Sequence, residues 1–369
     1  MNRTVNGANL PVLRSRNAAL VLDLLRTAGE GGISRIELAE RTGLTPQAVS
    51  KITARLREGG LVVETGRRAS TGGKPRTLLR LVPSAGHAMG LHLDRDELTT
   101  VLLDLSGTLV VARTVPLDLG AGAEAVLEAA AAEIEAVLAT TATAEAEAVP
   151  SAGRVLGVGV AMPGPLDHWA GVPHRVTGFP EWDGFPLRDA LGARLGLPVV
   201  LDKDTNAAAL GLALRGPGGS FAYLHLGTGL GAGLVLGGAL YRGARTGAGE
   251  FGHQVIQLDG PECGCGRSGC IEALCLAAVG RGDIDRAAGV LGIGAANLVE
   301  LLDIDRVLLG GRAVTAAAEP FVRGVGERVR VPVALAEGGT HIVAEGAAQL
   351  VLAPLFGHAE ASPTGPKIR

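Results

Sequence analysis

Three cysteines and one histidine stand close together between residues 253 and 270. They follow the pattern His-x9-Cys-x-Cys-x4-Cys, with His253, Cys263, Cys265 and Cys270 as its members. Cys263 and Cys265 are too close for an easy disulfide, whereas one histidine with three thiolates is a recognised four-coordinate zinc set. Because protein ligands fill all four positions, no place remains for a water, and we predict a structural zinc ion. Buried thiols without a metal are the alternative, and Cys275 competes for the fourth ligand position.

Two further segments have residue types that suit a polar ligand. The segment HLGTGLGAG, residues 225–233, has a glycine at every second position from 227, as in loops whose amides approach a phosphate. A tight β-hairpin turn explains the same glycines equally well. The segment LDKDTNAAAL, residues 201–210, places Asp202 and Asp204 at a strand end, with Asn206 entering a helix. A carboxylate there could take a proton from a hydroxyl or hydrogen-bond to it, or it could merely cap the helix.

Charge is unevenly distributed along the 369 residues. Residues 1–82 carry 14 Lys and Arg against 6 Asp and Glu, a balance of +8; the remainder carries 20 against 31, a balance of −11, and the two sum to the net −3. A basic head on an acidic body indicates that the head meets a polyanion, although basic residues are also common on solvated faces. The four clustered cysteines do not fit a secreted disulfide framework, and neither a signal peptide nor a long apolar span is visible. We therefore expect a cytoplasmic protein that does not enter a membrane.

The first part of the chain has the pattern of helices joined by a short turn. Residues 17–28 carry apolar residues at helical spacing. Ser34, with Glu37 three residues later, is a capping-box pair at the start of one helix, which Gly43 should end. Thr45, followed by a proline, then starts a second helix. This spacing predicts a helix-turn-helix.

The second of these helices, residues 45–57, is the predicted recognition helix, and its outward residues suit base edges and phosphates. A Gly-rich loop between two predicted strands follows it and would form a wing near a phosphate backbone or a minor groove. A small helical domain that binds another protein is the alternative. The candidate DNA-binding residues are Ser34, Thr45, Gln47, Ser50, Lys51, Arg55, Arg67, Arg68, Lys74 and Arg76.

The remainder of the chain alternates strand-like and helix-like segments, which is typical of an α/β fold. Residues 122–138 are rich in Ala and Glu and are predicted to be a helix, followed by a mobile loop over residues 139–153. We expect a disordered tail over residues 358–369. The predicted strands cover residues 88–93, 98–105, 155–161, 198–202, 221–226 and 232–236.

Five motifs of the body together resemble the ROK family, which groups repressors and sugar kinases. They are GVGVAMPGPLD (157–167), LDKDTNAAALG (201–211), LGTGLGAG (226–233), GAGEFGH (247–253) and CGCGRSGCIE (263–272). The resemblance covers nearly the whole chain, because a winged helix-turn-helix head is what the regulator branch of the family adds. It implies a body of the actin/hexokinase (ribonuclease H-like) type, with two α/β lobes and a sugar in the cleft between them.

The resemblance also implies a division of the chain and a set of site residues. The winged helix-turn-helix domain would cover residues 1–85, the first lobe 86–200 with about 340–357, and the second lobe, with the zinc site, 201–339. The zinc ligands implied are His253, Cys263, Cys265 and Cys270. The sugar contacts implied are Asp204, Glu250, His253 and Glu272, with Lys203 beside them at the position of the family's usual asparagine.

Two departures from the family pattern bear on function. Kinases of the family carry a D-x-G-G-T phosphate loop, where this chain has GLHLDRDELT (90–99), with Asp94 and Arg95 in place of glycines. A nucleotide phosphate would meet a side chain and a negative charge there, which argues against tight ATP binding. Lys203 only donates hydrogen bonds, and its charge should keep Asp204 ionised.

These features predict a sugar-responsive transcriptional regulator, in the first place a repressor of genes for carbohydrate uptake or catabolism. It would bind an operator in double-stranded DNA as a homodimer or homotetramer. A sugar kinase with a DNA-binding head, using Asp204 as general base, is one alternative. A regulator controlled by a protein partner instead of a sugar is the other.

Overall fold

The computed structural model describes residues 16–68, 76–148, 154–216 and 218–358. Within these ranges, residues 67–68 and 141–148 are described by their backbone alone. Lys74 and residues 359–369 of the predicted tail therefore lie outside the described residues. In the described part of the chain, no helix has the length and apolar character needed to cross a lipid bilayer.

The N-terminal head is a winged helix-turn-helix, as predicted. Strand β3 lies between β1 and β2 and pairs antiparallel with both, so β2 and β3 are the strands that flank the wing. The elements in chain order are α1 (Arg16–Ala28), β1 (Ile33–Ser34), α2 (Arg35–Thr42), α3 (Pro46–Glu58), β2 (Val62–Arg68) and β3 (Arg76–Leu81).

Local capping defines the two central helices of the head. The Ser34 hydroxyl accepts a hydrogen bond from the Glu37 amide at 3.3 Å, and the Glu37 carboxylate accepts one from the Ser34 amide at 2.9 Å. Gly43 ends α2 with a φ of 69°, a conformation that glycine adopts without a steric penalty. The Thr45 hydroxyl then accepts from the Ala48 amide at 3.2 Å and starts α3. These caps satisfy amides that the helices leave unbonded, so the predicted turn is confirmed.

The first lobe is built on a mixed five-stranded sheet of order β10-β7-β4-β5-β6. Strands β4, β5 and β6 form an antiparallel meander, and β7 and β10 continue the sheet in parallel with β4. The elements are β4 (His87–Leu93), β5 (Glu97–Asp104), β6 (Leu109–Pro116), α4 (Ala123–Ala148), β7 (Val155–Met162), β8 (Leu166–Asp167), β9 (Val172–Pro173), α5 (Leu187–Leu195) and β10 (Val199–Lys203).

Helix α4 is longer than the sequence pattern predicted. The expected loop over residues 139–153 is wrong for its first ten residues, because the helix continues to Ala148. The segment ATTATAEAEA, residues 139–148, consists mainly of Ala and Glu, which have high helix propensity. Low sequence complexity was therefore a poor sign of a loop here.

The second lobe repeats the topology of the first. Its main sheet has the order β13-β12-β11-β14-β15, with an antiparallel meander β11–β13 followed by the parallel strands β14 and β15. This repeat matches the predicted two-lobed body. The elements are α6 (Asp204–Arg215), β11 (Phe221–Leu226), β12 (Leu230–Leu236), β13 (Ala239–Leu240), α7 (Ile271–Gly280), α8 (Ile284–Leu302), β14 (Arg306–Gly310), α9 (Arg312–Ala316), α10 (Ala318–Gly326) and β15 (Val333–Leu335).

The last helix of the body, α11 (Ile342–Leu352), connects the two lobes. It packs on β4 and β7 of the first sheet and crosses α6, which leads into the second lobe. The crossing is a backbone-to-backbone contact, because a Cβ at Gly346 would lie 2.0 Å from the Ala207 carbonyl oxygen. Only glycine permits this approach, so any movement of α6 must involve α11.

The head and the first lobe share one hydrophobic core. Val21 and Leu25 of α1 belong to the same buried cluster as Leu352 at the end of α11 and Phe356 in the turn that follows it. Two polar contacts reinforce this junction. The Arg26 guanidinium lies over the Phe356 ring at 5.1 Å, and the Asp23 carboxylate lies 3.6 Å from Nε2 of His358. The head is therefore packed against the body and is not held by a linker alone.

Candidate functional site

A polar cleft opens between the lobes at the carboxyl ends of their central strands. Asp94 follows β4, Gly164 lies just after β7, and Lys203 ends β10. The turn between β11 and β12, residues 227–229, contributes to the same cleft from the second lobe. Strand ends of this kind expose backbone and polar side chains together, which is where α/β proteins bind ligands. All five candidate sugar-binding residues line this cleft, namely Lys203, Asp204, Glu250, His253 and Glu272.

Lys203 is a fixed part of the cleft wall. Its side chain is 3% exposed, and Nζ donates to the Ala248 carbonyl and, at 3.1 Å, to Oε1 of Glu250. Gly164 leaves room for the lysine stem, because a Cβ there would lie 2.6 Å from Cδ of Lys203. Lys203 therefore neutralises and positions one oxygen of Glu250.

Asp204 opens α6 and differs from the sequence expectation in its ionisation. Burial raises the pKa of the Asp204 carboxyl to about 7. The Thr205 amide donates a hydrogen bond to this carboxyl at 2.6 Å, which lowers the pKa, whereas the charge of nearby Asp94 raises it further. Lys203 lowers the pKa of Asp204, as expected, but burial raises that pKa by more, so the carboxyl is only partly ionised near neutral pH. The Lys203 ammonium is engaged by Glu250 and the Ala248 carbonyl, and loss of hydration outweighs its attraction for Asp204.

Asp202, the other carboxylate of this segment, supports the site from behind. Its Oδ1 accepts from Nδ2 of Asn206 at 2.8 Å, and its Oδ2 accepts from Nε of Arg242 at 2.6 Å. Both partners of the ion pair with Arg242 are buried. Asp202 therefore ties β10 to α6 and to the second lobe, and does not line the cleft of the candidate sugar-binding residues.

Glu272 links the cleft to the cysteine cluster. Its Oε2 accepts from the Leu230 amide at 2.8 Å, which attaches it to the glycine-rich turn. Its Oε1 lies 4.0 Å from Nδ1 of His253 and 3.8 Å from Sγ of Cys263. One side chain therefore contacts the ligand cleft and the candidate metal centre.

The predicted metal ligands converge. The ligand atoms of His253, Cys263, Cys265 and Cys270 all lie within 4.8 Å of one another. Nδ1 of His253 is 3.6 Å from Sγ of Cys263, and Sγ of Cys265 is 3.7 Å from Sγ of Cys270. Bond lengths around tetrahedral zinc give edges of about 3.6–3.8 Å. The four side chains thus form a group that could bind a metal ion, and their chemistry and spacing fit a closed tetrahedral site.

Cys275 is not part of this group. Its thiol contacts the Ala287 carbonyl at 3.6 Å inside the core of the second lobe. Cys275, which the sequence left open as an alternative fourth ligand, therefore lies outside the cluster.

The glycine-rich segment forms a β-hairpin between β11 and β12. Its later glycines serve packing: a Cβ at Gly233 would lie 2.1 Å from the Thr205 carbonyl oxygen at the start of α6. The turn itself, with Thr228 and Gly229, lines the cleft. The hairpin interpretation therefore describes the segment, and the turn remains available to a ligand.

The altered loop after β4 is joined to the second lobe. Nη2 of Arg312, at the start of α9, donates to Oδ2 of Asp94 at 3.1 Å, and the same guanidinium pairs with Asp96. Oδ1 of Asp94 accepts from the Arg95 amide at 2.8 Å and from the Thr228 hydroxyl at 3.2 Å. Sequence reasoning did not identify Arg312, because nothing in its local sequence indicates a partner so far along the chain.

The candidate DNA-binding residues differ in where the structure places them. Ser34 is 2% exposed and its hydroxyl caps α2, so it does not face a duplex. Arg67 and Arg68 lie on β2, and their side chains are outside the described ones. The residues that are exposed on and beside α3 and on β3 are Thr45, Gln47, Ser50, Lys51, Arg55 and Arg76.

Comparison with known proteins relates both parts of the chain to established families. The ROK family profile matches residues 100–282, and a MarR family profile matches residues 14–70. A putative xylose repressor from Caldicellulosiruptor sp. is 29% identical in an alignment of 325 positions that covers 76% of this chain and 79% of that protein. The chain spans 61% to 79% of the lengths of several curated repressors that it matches.

Two solved structures have the same architecture. The crystal structure of a ROK family transcriptional regulator, a homologue of the E. coli MLC protein, aligns with a TM-score of 0.74 at 23% identity and covers 95% of this chain and 98% of that one. A ROK hexokinase from Thermus thermophilus aligns with a TM-score of 0.55 at 32% identity, over 71% of this chain and 96% of that one. The first shares the fold of head and body together, and the second matches the body.

Proposed function

Since the chain belongs to the ROK family, we propose that it is a sugar-responsive transcriptional repressor. A sugar bound in the interlobe cleft would control the affinity of the winged head for operator DNA. The observation that carries this proposal is the shared core of head and body. Helix α11 contacts α6, whose first residue is Asp204, and the turn that follows α11 packs against α1 of the head at Phe356.

In the proposed operator complex, α3 enters the major groove and the wing lies along the backbone. The exposed polar and basic residues of α3 suit base edges and phosphates. The head also has an excess of basic residues, whereas the rest of the chain has an excess of acidic ones. Paired half-sites would multiply the weak affinity of single heads, so a homodimer or homotetramer on a palindrome is expected. The proposed contacts are Thr45, Gln47, Ser50, Lys51, Arg55, Arg67, Arg68, Lys74 and Arg76.

In the proposed effector complex, sugar hydroxyls bind to carboxylates of both lobes. Asp204 comes from the first helix after β10, whereas Glu250 and Glu272 come from the second lobe. A ligand held by both sides favours a closed arrangement, and it shifts the equilibrium only as far as it prefers that arrangement. Movement of α6 together with α11 would then change the placement of α1 and of the head.

We further propose that the metal ion is zinc. His253, Cys263, Cys265 and Cys270 would hold it, and the ion would supply a structural cross-link. The cross-link would hold the segment from Glu250 to Glu272, so that both carboxylates and the histidine face one ligand. The test is metal analysis of the purified protein, with one zinc per chain as the expected content.

Sugar kinase activity is the second candidate, because Asp204 could act as general base and a solved relative is a hexokinase. The ion pair between Asp94 and Arg312 weighs against it, since both groups lie beside the glycine-rich turn where nucleotide phosphates would bind. An assay of ADP release over a panel of sugars separates the two functions. Turnover that disappears in Asp204→Asn would establish the kinase.

The test of the repressor is a gel shift of the full-length protein on the DNA that flanks its own gene, with and without a panel of sugars. We expect a retarded complex that at least one sugar abolishes. Lys51→Ala should weaken the complex and lower its salt dependence by about one ion. Arg323→Ala, an exposed change on α10 of the body, is the matched control and should bind as the parent does. A complex that no sugar affects would indicate control by a protein partner.

A further inference from the structure

A second cavity lies between the lobes, apart from the ligand cleft. Its volume is about 780 Å³, which is within the range of small-molecule sites. Its lining comes from strand β10 and helix α6, from strand β13 of the second lobe, and from the end of α11 with the turn that follows it. Among the described residues, none that lines this cavity also lines the ligand cleft. We call this cavity the β10 groove.

The wall of the β10 groove is mainly apolar and carries an exposed aromatic ring. Val200 of β10 is 37% exposed, and Trp169, which follows β8, is 47% exposed. The Trp169 ring contacts the His168 ring with 4.7 Å between the centroids, so the indole has a defined position. Other apolar side chains of the wall include Leu210, Leu214, Leu240 and Leu350. Large apolar side chains that face solvent inside a concave surface are typical of a binding site.

Each ionisable side chain of the wall already has a partner inside the protein. The pairs are Arg242 with Asp202, Arg188 with Asp189, His168 with Thr246, and His358 with Asp23. A charged ligand would give up its hydration in an apolar site without gaining a counter-ion. The charge pattern of the groove therefore favours a neutral ligand.

Two edge strands border the groove and offer backbone hydrogen bonds. Within the described sheets, β10 pairs only with β7, and β13 pairs only with β12. The Pro198 carbonyl accepts a hydrogen bond from β7, and because neighbouring residues of a strand direct their backbone groups to opposite sides, those of Leu201 point away from β7. Leu240 precedes Tyr241, whose amide donates to β12, so the backbone groups of Leu240 point away from β12. Both leucines line the groove, where a ligand hydroxyl or amide would find donors and acceptors.

The β10 groove also borders the junction of body and head. Gly357 and His358 belong to its wall. A Cβ at Gly357 would lie 3.5 Å from Cβ of Ala19 in α1, and Nε2 of His358 lies 3.6 Å from the Asp23 carboxylate of the same helix. Helix α1 therefore lies directly behind one part of the wall. A ligand in the groove would contact the segment against which the head is packed.

We propose that the β10 groove is a second effector site, for a neutral and mainly apolar small molecule that has a ring and one or two hydrogen-bonding groups. The ring would pack on Trp169, and the polar groups would bond to the open edges of β10 and β13. The bound molecule would change the placement of α1 and thereby the affinity of the head for DNA. This last effect rests on the proposed repressor function, whereas binding in the groove does not depend on it.

The first test is titration of the full-length protein with three probes of similar shape and different charge. They are 4-phenylbutanol, 4-phenylbutyrate and 4-phenylbutylammonium. The chain has two tryptophans, and Trp182 is buried in the core of the first lobe, so a change in tryptophan emission on binding reports mainly Trp169. We expect the neutral alcohol to bind about tenfold more tightly than either charged probe, because it loses less hydration.

Variants determine whether the alcohol binds in the β10 groove. Val200→Tyr places a ring in the groove and should abolish binding, and Trp169→Ala, measured by calorimetry, should weaken binding about threefold to tenfold. Val110→Tyr is the matched control, since Val110 is 47% exposed on β6, the other edge strand of the same sheet, and does not line the groove. It should bind the alcohol as the parent does.

The second test is the gel shift with the alcohol in place of a sugar. We expect the protein concentration for half-maximal retardation to change about fivefold or more, which is the lower end of ordinary allosteric coupling. Val200→Tyr should remove this response and keep the response to a sugar. That result would separate the groove from the ligand cleft.

Three results would overturn the inference. Equal affinity for the three probes, or binding that survives Val200→Tyr, would show that the groove does not select a neutral ligand. Absence of binding by every probe would refute the site, and a change of oligomeric state in Val200→Tyr, measured by sedimentation, would then assign the groove to contact with a second copy of the chain. Binding without an effect on the gel shift would refute the effector role. If no sugar affects the gel shift while the alcohol binds, the proposed sugar response fails and the site in the groove stands.

Discussion

Arg312 and Asp94 join the two lobes across the cleft, with Nη2 of the arginine 3.1 Å from Oδ2 of the aspartate. Asp94 lies in the loop that follows β4. It is 7% exposed, so its carboxylate depends on protein donors for its hydrogen bonds. The ion pair is therefore a contact between the two lobes that groups of the protein itself make.

Removal of Arg312 should weaken the contact between the lobes. We expect Arg312→Ala to lower the free energy of unfolding by about 1–2 kcal/mol, because a buried carboxylate loses a charged donor. The loss is limited, since the arginine side chain is 45% exposed. Urea unfolding measures it. Arg323→Ala, which removes an exposed pair with Asp285, is the control and should cost less than about 0.5 kcal/mol. Equal effects of the two changes would contradict this account.

Loss of the metal should disable the effector cleft. We expect Cys265→Ser to abolish zinc binding, lower the melting temperature and remove the thermal shift caused by a bound sugar. The reason is that His253 and Glu272 lie against the ligand atoms and would lose their order. Metal content and thermal shifts are the measurements. Cys275→Ala, outside the cluster, should keep one zinc per chain; if it loses the metal as Cys265→Ser does, the ligand assignment is wrong.

The carboxyl of Asp204 should make stability depend on pH. Its pKa is about 7 in the folded protein, whereas the ordinary value is 3.8. Between these values the folded state holds a proton that the unfolded state has released, so this group's contribution falls as pH rises through the window. The slope is at most about 1.4 kcal/mol per pH unit. Asp204→Asn should flatten the dependence measured by urea unfolding.

A control is needed because other carboxylates also titrate. Asp183→Asn is the control, because the Asp183 side chain is 44% exposed and far less buried than that of Asp204. It should leave the slope of stability against pH as it is in the parent. An unchanged slope in Asp204→Asn would mean that Asp204 is ionised in the folded protein, as the sequence had suggested.

The crossing of α6 and α11 should be intolerant of a single methyl group. A Cβ at position 346 would lie 2.0 Å from the Ala207 carbonyl oxygen, so Gly346→Ala must separate the two helices. We expect a loss of about 1–3 kcal/mol in stability and a weaker effect of sugar on operator binding. Gly326→Ala on α10, where a Cβ would meet nothing within 4 Å, is the matched control and should change stability by less than about 1 kcal/mol. Normal sugar response in Gly346→Ala would exclude this crossing as the connection between cleft and head.

The features that the sequence predicted well depend on neighbours in the chain. The caps at Ser34 and Thr45, the turn at Gly43 and the six predicted strands follow from residue types a few positions apart. These six strands are β4, β5, β7, β10, β11 and β12. The convergence of the metal ligands is similar, because Cys263 to Cys270 form a short loop and His253 lies near its start. Short segments have few conformations, so composition and spacing specify them.

The sequence alone determined the winged head, the family of the body and the candidate ligands of the metal, because these rest on local spacing and on recognisable motifs. Only the tertiary structure decided the partners of charged residues. Asp94 meets a donor 218 positions away, and Lys203 turns to a carboxylate 47 positions away. It also decided the pKa of Asp204, since burial and the local electric field depend on which elements pack together. The physical reason is that charge pairing is set by distance in space, which the order of residues along a chain does not specify.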